Sequence, residues 1–235
     1  MCPAEVGAEC ARQWGGRAHA RAASDPGRAS TVRGGGACRV DKNGGNMTRN
    51  AYRTPPEEVD MAAQERAIRR ATTIAALATI VAFAGAYWLV PAIARMPTAL
   101  AERLAFAALC WAVAGFVLFV AIMMVSTARR VSPADIGGQA AGPPSEKLAI
   151  KAAFLQNTLE QTVLAGGFYL ALAAVAGGAW LALLPVAVVF FVVGRVLFYA
   201  GYELGAGGRA LGMGLTMMPS ALGYPIVAGL ALLGG

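Results

Sequence analysis

Charge and histidine are what this sequence has least of. Lys, Arg, Asp and Glu together make up 14% of its 235 residues, against about 25% in an ordinary soluble domain. The only histidine, His19, lies in the N-terminal tail, which excludes a histidine-based catalytic triad or a multi-histidine metal site within one chain. Cysteine is sparse too. Cys2, Cys10, Cys38 and Cys110 form no C-x-x-C pair and have no histidine at ligand spacing, so neither a zinc site nor a disulfide framework is supported. The first 46 residues have no apolar run that would serve as the core of a signal peptide. What the chain has in excess is apolar surface: 57% of residues are hydrophobic and the mean hydropathy is +0.55. A water-soluble fold of this size would have to expose large apolar patches to carry that composition, so a membrane protein is expected. The formal charge of +7 does not argue for nucleic acid as a partner, because nine of the 20 cations precede residue 60, in a segment distinct from the rest.

Residues 1–60 are rich in Arg, Gly and Ala without helical or strand periodicity. Such a segment buries too little to offset its chain entropy, and disorder is expected. An over-extended gene start, with Met47 or Met61 as initiator, is the competing expectation, and the segment is assigned no function. From Met61 the pattern changes. Charge is absent from Ala71 to Ala94, Leu104 to Ala128, Gln161 to Gly194 and Ala210 to Gly235. A helix needs roughly 20 apolar residues to cross a hydrocarbon core of about 30 Å. The third run is long enough for two helices and is divided at Gly177-Gly178. Spans are therefore expected at roughly 71–94, 104–127, 148–175, 179–204 and 210–233. The runs are uniformly apolar instead of alternating, which selects helices over a β-barrel. The expected fold is an all-α integral-membrane helical bundle in the lipid bilayer. Cys110, inside the second span, reads as a small hydrophobe.

Lys and Arg set the expected orientation. Arg66, Arg69 and Arg70 precede the first span, Arg129, Arg130, Lys147 and Lys151 lie between the second and third, and Arg209 lies between the fourth and fifth. Alternating spans place all of these on one side and leave only Arg95 and Arg103 on the other. The N-terminus and the 128–147 loop are thus expected in the cytoplasm, with the C-terminus opposite.

Chemistry is carried by the polar residues at membrane depth, because an ionisable group there is costly unless paired or hydrated. The run FLQNTLEQ (154–161) places Asn157 and Glu160 on one helical face, with Gln156 beside them. In GRVLFYAGYELGAGGR (194–209), Arg195 and Tyr202 are seven apart with Phe198 between them. A Glu160–Arg195 ion pair that only fixes helix packing is one reading. The other follows from depth. At 1.5 Å per residue, Arg195 falls about 24 Å from the far end of its span, level with Arg129, Arg130, Lys151, Asn157, Glu160 and Arg209. This cation-rich set at the cytoplasmic boundary suits a small water-soluble anion, with apolar helix surface above it for a lipophilic co-substrate. Tyr87, Trp88, Trp180 and Tyr224 read as interfacial anchors, and Met213 and Met217 as packing or lipid-facing residues.

The run ARRVSP (128–133), the GPP that follows, N-x-x-E at Asn157 and Glu160, and R-x-x-F-x-x-G-Y-x-x-x-x-x-x-R from Arg195 to Arg209 together resemble the MAPEG family, the membrane-associated proteins of eicosanoid and glutathione metabolism. The resemblance covers about residues 103–235, so the first span, within 61–98, is an addition before a four-helix unit over 99–235. It implies a homotrimer that binds glutathione between protomers on the cytoplasmic side and acts as a transferase or peroxidase on lipophilic electrophiles or lipid peroxides. It further implies that Asn157, Glu160, Tyr202, Arg195 and Arg209 hold the tripeptide, with Lys151 and Gln156 nearby. Arg129 or Arg130 would stabilise the thiolate. Cations lower a thiol's pKa and so raise its nucleophilic fraction. The chain departs from the family pattern at Ala153, where an Arg is common, at Val163, where a Pro is common, and at Phe198, where a Tyr or His is common. Those departures support the alternative of a non-catalytic membrane protein that keeps the bundle without using glutathione. A transporter is a third class. The first span, which holds no charge, is expected on the outside of the assembly, away from the site.

Overall fold

A computed structural model describes residues 60–138 and 142–233. The expectation of disorder over residues 1–60 falls, apart from Asp60, outside the described residues. Five helices, each long and apolar enough to cross a membrane, run up and down in chain order: α1 (Met61–Ile93), α2 (Leu100–Arg130), α3 (Glu146–Val175), α4 (Leu183–Ala200) and α5 (Gly205–Leu233). The chain is a multi-pass integral membrane protein.

Local chemistry sets the helix ends. Asp60 caps α1 by accepting from the Ala63 N–H at 3.0 Å, and α1 stops just short of Pro97, which disfavours helix in the residue before it. Arg129 and Arg130 occupy the last turn of α2, where cations complement the helix dipole. Ser145 caps α3 and donates its own N–H and hydroxyl to the Asp135 carboxylate at 2.8 and 2.7 Å. That tie closes the α2–α3 connection. α3 ends ahead of Gly177-Gly178, as expected; Gly178 has φ +59° and opens a 3₁₀ turn, Gly178–Ala182. The fourth span differs from expectation at its far end. It stops at Ala200, a short 3₁₀ turn carries Tyr202–Leu204, and α5 begins at Gly205. The cause is steric. A side chain at Gly201 would collide with the Gly208 carbonyl, and Gly205 holds φ +78°, which L-residues rarely adopt.

Glycine also lets the helices approach closely. A Cβ on Gly212 would overlap the Phe198 backbone nitrogen, and one on Gly194 would overlap the Thr216 hydroxyl, so α4 and α5 lie backbone to backbone as small residues permit in membranes. The Trp111 ring covers Gly166, and its indole N–H donates to the Thr162 carbonyl at 2.9 Å. At the end of the bundle away from the α2–α3 connection, Phe83, Phe168, Tyr169, Leu172, Leu184 and Phe191 form the main core. Cys110 is buried in this core, as a small hydrophobe would be. Trp88 is 76% exposed, Tyr87 packs on Trp180 with centroids 4.8 Å apart, and the Tyr224 hydroxyl donates to the Leu164 carbonyl at 3.0 Å.

The first helix departs furthest from expectation. α1 packs along α5, with Ala67 against Gly207 and Ala75 against Gly214. The Gln64 side-chain carbonyl accepts from the Gly207 N–H at 2.7 Å, one of the α5 first-turn donors that have no partner within the helix. α1 is therefore joined to the helix that carries Arg209.

Candidate functional site

Arg195 anchors the site. It lies on α4, 1% exposed, because the glycine-lined α4–α5 contact brings its guanidinium against α3 and α5. Its Nε donates to the Thr216 hydroxyl at 3.0 Å and Nη1 donates to Asn157 Oδ1 at 2.6 Å. Nη2 approaches the Met213 sulfur at 3.8 Å, and the cation stands 4.6 Å from the Phe198 ring centre. All of these partners are neutral. The ion pairs among the described residues are Arg66–Asp60 and Arg69–Glu65, both on the exposed start of α1. A buried cation without an anion is costly, and four neutral contacts offset only part of that cost.

From Arg195 a ladder of aromatic and cationic groups leads outward. The Tyr202 ring meets Phe198 edge to face at 5.8 Å, and the Arg209 guanidinium stands 4.7 Å from the Tyr202 ring centre. Asn157, Phe198, Tyr202 and Arg209 border a cavity of about 510 Å³, and Ala153 lies on its wall. Thr72 and Ile68 from α1 and Met213 and Met217 from α5 also line it. The cavity thus combines a cation, an amide and a phenol with apolar side chains. An amphipathic molecule with an anionic end fits that combination.

The structure brings together four of the residues singled out from the sequence: Asn157, Arg195, Tyr202 and Arg209. Others it separates. The Glu160–Arg195 ion pair is not formed. Glu160 is exposed and accepts from Gln156 Nε2 at 3.0 Å, on a surface of α3 that does not border the cavity. Asn157 takes the place of Glu160 because it is one helical turn closer to Arg195. Lys151, Arg129 and Arg130 do not border the cavity either. Arg129 is half-buried beside Asp135 in a small pocket under the α2–α3 connection, whereas Arg130 is exposed. The Asp135 pKa is lowered, first by the Ser145 N–H, then by the Ser145 and Ser132 side chains, with a smaller contribution from the Arg129 charge.

Tyr199, the neighbour of Phe198, packs its ring on Phe154 at 5.0 Å and does not border the cavity. Sequence reasoning missed Ile68, Thr72 and Thr216, and read Met213 and Met217, which line the cavity, as packing or lipid-facing residues. One signal for the first two was available: Ala67, Ala71 and Ala75 at four-residue spacing match Gly207 and Gly214 seven apart, which marks a close helix pair.

A family model described as the MAPEG family matches residues 104–227. No curated protein and no solved structure matches the chain.

Proposed function

This chain belongs to the MAPEG family, and on that premise we propose that it is a glutathione-dependent transferase or peroxidase acting on lipophilic electrophiles or lipid peroxides. One observation carries the reading: the buried Arg195 guanidinium has only neutral partners and adjoins, through Asn157, a cavity that Arg209 also borders. Two cations without carboxylates suit a peptide that carries two carboxylates of its own. In this reading Arg195, held in place by Thr216 and Asn157, and Arg209, stacked on Tyr202, bind and orient that peptide. Glutathione would supply the thiolate nucleophile that forms the carbon–sulfur bond as a leaving group departs with its electron pair. The protein's part is to favour the thiolate, since a free thiol titrates near 8.5 and adjacent cations lower that value.

Of the two arginines that match the thiolate motif, Arg130 is the better candidate on exposure, because Arg129 is half-buried under the α2–α3 connection. Neither borders the cavity of its own chain. We therefore propose that a neighbouring protomer of a homotrimer presents Arg130 at the cavity mouth, together with Lys151, Gln156 and Glu160, and that this end of the bundle faces the cytoplasm. Purified protein should show a glutathione-dependent thiolate absorbance that is lost in Arg130→Ala and kept in Arg129→Ala. No thiolate signal and no conjugation across aryl halides and hydroperoxides would refute the proposal. A second reading, a bundle that does not use glutathione, draws on Ala153, which leaves a cavity wall uncharged where family members commonly have an arginine. It predicts no stabilisation by glutathione at millimolar concentrations.

A further inference from the structure

We propose that α1, which lies outside the family match, forms the half of the site that selects the lipophilic co-substrate, with Ile68 and Thr72 as its specificity-determining residues. The inference rests on the glutathione reading for the identity of the co-substrate, and on geometry for its place.

The α1–α5 pair presents two adjacent stripes. Gln64, Ala67, Ala71 and Ala75 of α1 close on Gly207 and Gly214 of α5. One stripe over, Ile68 and Thr72 face Met213 and Met217 across open space. The first stripe leaves no room for a side chain: a Cβ on Gly214 would stand 2.8 Å from the Ala75 Cβ. The second leaves about 510 Å³. The space is an open cleft and not an enclosed void, so a ligand can enter it. Its lining mixes polar and apolar groups: Arg209, Tyr202 and Asn157 share it with Ile68, Met213 and Met217, and Met213 also touches the Arg195 guanidinium. Methionine adapts its shape to ligands of different outline. A molecule with an anionic end at Arg209 would lay its apolar portion against Ile68. The product of joining a charged tripeptide to a lipophile has that form. α1 cannot be lifted off the cavity without opening the alanine–glycine contact and the Gln64–Gly207 hydrogen bond. It is therefore a fixed wall, and its residues set the length of chain the cavity accepts.

The test uses the full chain in detergent, with Ile68→Trp to fill the cavity and Ile68→Ala to enlarge it. Turnover is measured over a series of hydroperoxides of increasing alkyl length. Ile68→Trp should lower the long-chain to short-chain ratio of kcat/KM by about tenfold or more, the scale at which a hydrophobic pocket discriminates methylenes. Ile68→Ala should raise that ratio, and glutathione-dependent thermal stabilisation should persist in both. A ratio that stays the same in all three proteins would overturn the inference while leaving the glutathione reading intact. If the unmodified protein shows neither glutathione stabilisation nor turnover, the glutathione reading has failed, and a diazirine-bearing fatty acid then tests the wall alone. Label on Met213 or Met217 that disappears in Ile68→Trp supports α1 as the apolar wall. Label that is absent from that face, or undiminished by the substitution, overturns it.

Discussion

Replacing Asn157 should lower stability and replacing Arg195 should leave it nearly unchanged, with the same consequence for binding. Asn157→Ala removes the acceptor 2.6 Å from Nη1 and leaves a charged donor unmatched on a residue that is 1% exposed. A hydrogen bond to a charged group contributes about 1.5–3 kcal/mol, and at about 2–4 °C per kcal/mol for a chain of this size the loss lowers Tm by roughly 3–12 °C. Arg195→Met removes the buried cation together with its partners' obligation to it. Thr216 keeps a partner in the Gly212 carbonyl at 2.9 Å, and Asn157 is only half-buried, so water serves its amide. Replacing a buried charge with an apolar side chain of similar volume is often neutral or stabilising. The Tm of Arg195→Met should therefore lie close to that of the unmodified protein. Glutathione at 100 times its dissociation constant adds about 2.7 kcal/mol to a protein that binds it, and both variants should lose that increment. Thermal unfolding in detergent, with and without glutathione, reads both effects. A large loss of stability in Arg195→Met combined with a neutral Asn157→Ala would refute the argument. It would mean that the cation already has a carboxylate partner, supplied by another protomer.

Further outcomes follow from the same contacts. Gly212→Ala places a methyl into the Phe198 backbone and, as an overpacked contact, should cost about 1–3 kcal/mol or more, read as a lower Tm and weaker ligand binding because α4 and α5 carry Arg195 and Arg209. Gln64→Ala leaves the Gly207 N–H without its cap and should cost about 1 kcal/mol, with increased hydrogen exchange at the start of α5. The Asp135–Ser145 tie should be pH-dependent. The Asp135 pKa is lowered in the folded protein, so its stabilising contribution is fully present above the ordinary carboxylate value of about 3.9 and is lost as pH falls through the lower folded value. Proteolysis of the α2–α3 connection should thus be constant from pH 7 to 5 and accelerate in strong acid, with Asp135→Asn accelerated at every pH.

Much of this protein is legible in one dimension. Uninterrupted apolar runs of 24 residues or more leave a chain no option but helices across a bilayer, since hydrocarbon satisfies no backbone polar group. The number of spans, the break at Gly177-Gly178 and the small buried role of Cys110 followed from that constraint. Asn157, Arg195, Tyr202 and Arg209 were visible because polar groups at membrane depth are few. Which of them meet was decided by tertiary structure. Asn157 and Glu160 share a helical face in the sequence pattern, yet Asn157 meets Arg195 while Glu160, one turn further on, is exposed and bonded to Gln156. Arg129 and Arg130 are adjacent and chemically equivalent as letters. Their difference arises from the fold of the α2–α3 connection, which buries one beside Asp135 and leaves the other exposed. The first helix shows the same division. Its apolar composition determined that it spans the membrane, but composition carries no information about neighbours. Steric fit between its alanines and the glycines of α5 placed it at the cavity, where Ile68 and Thr72 are part of the lining.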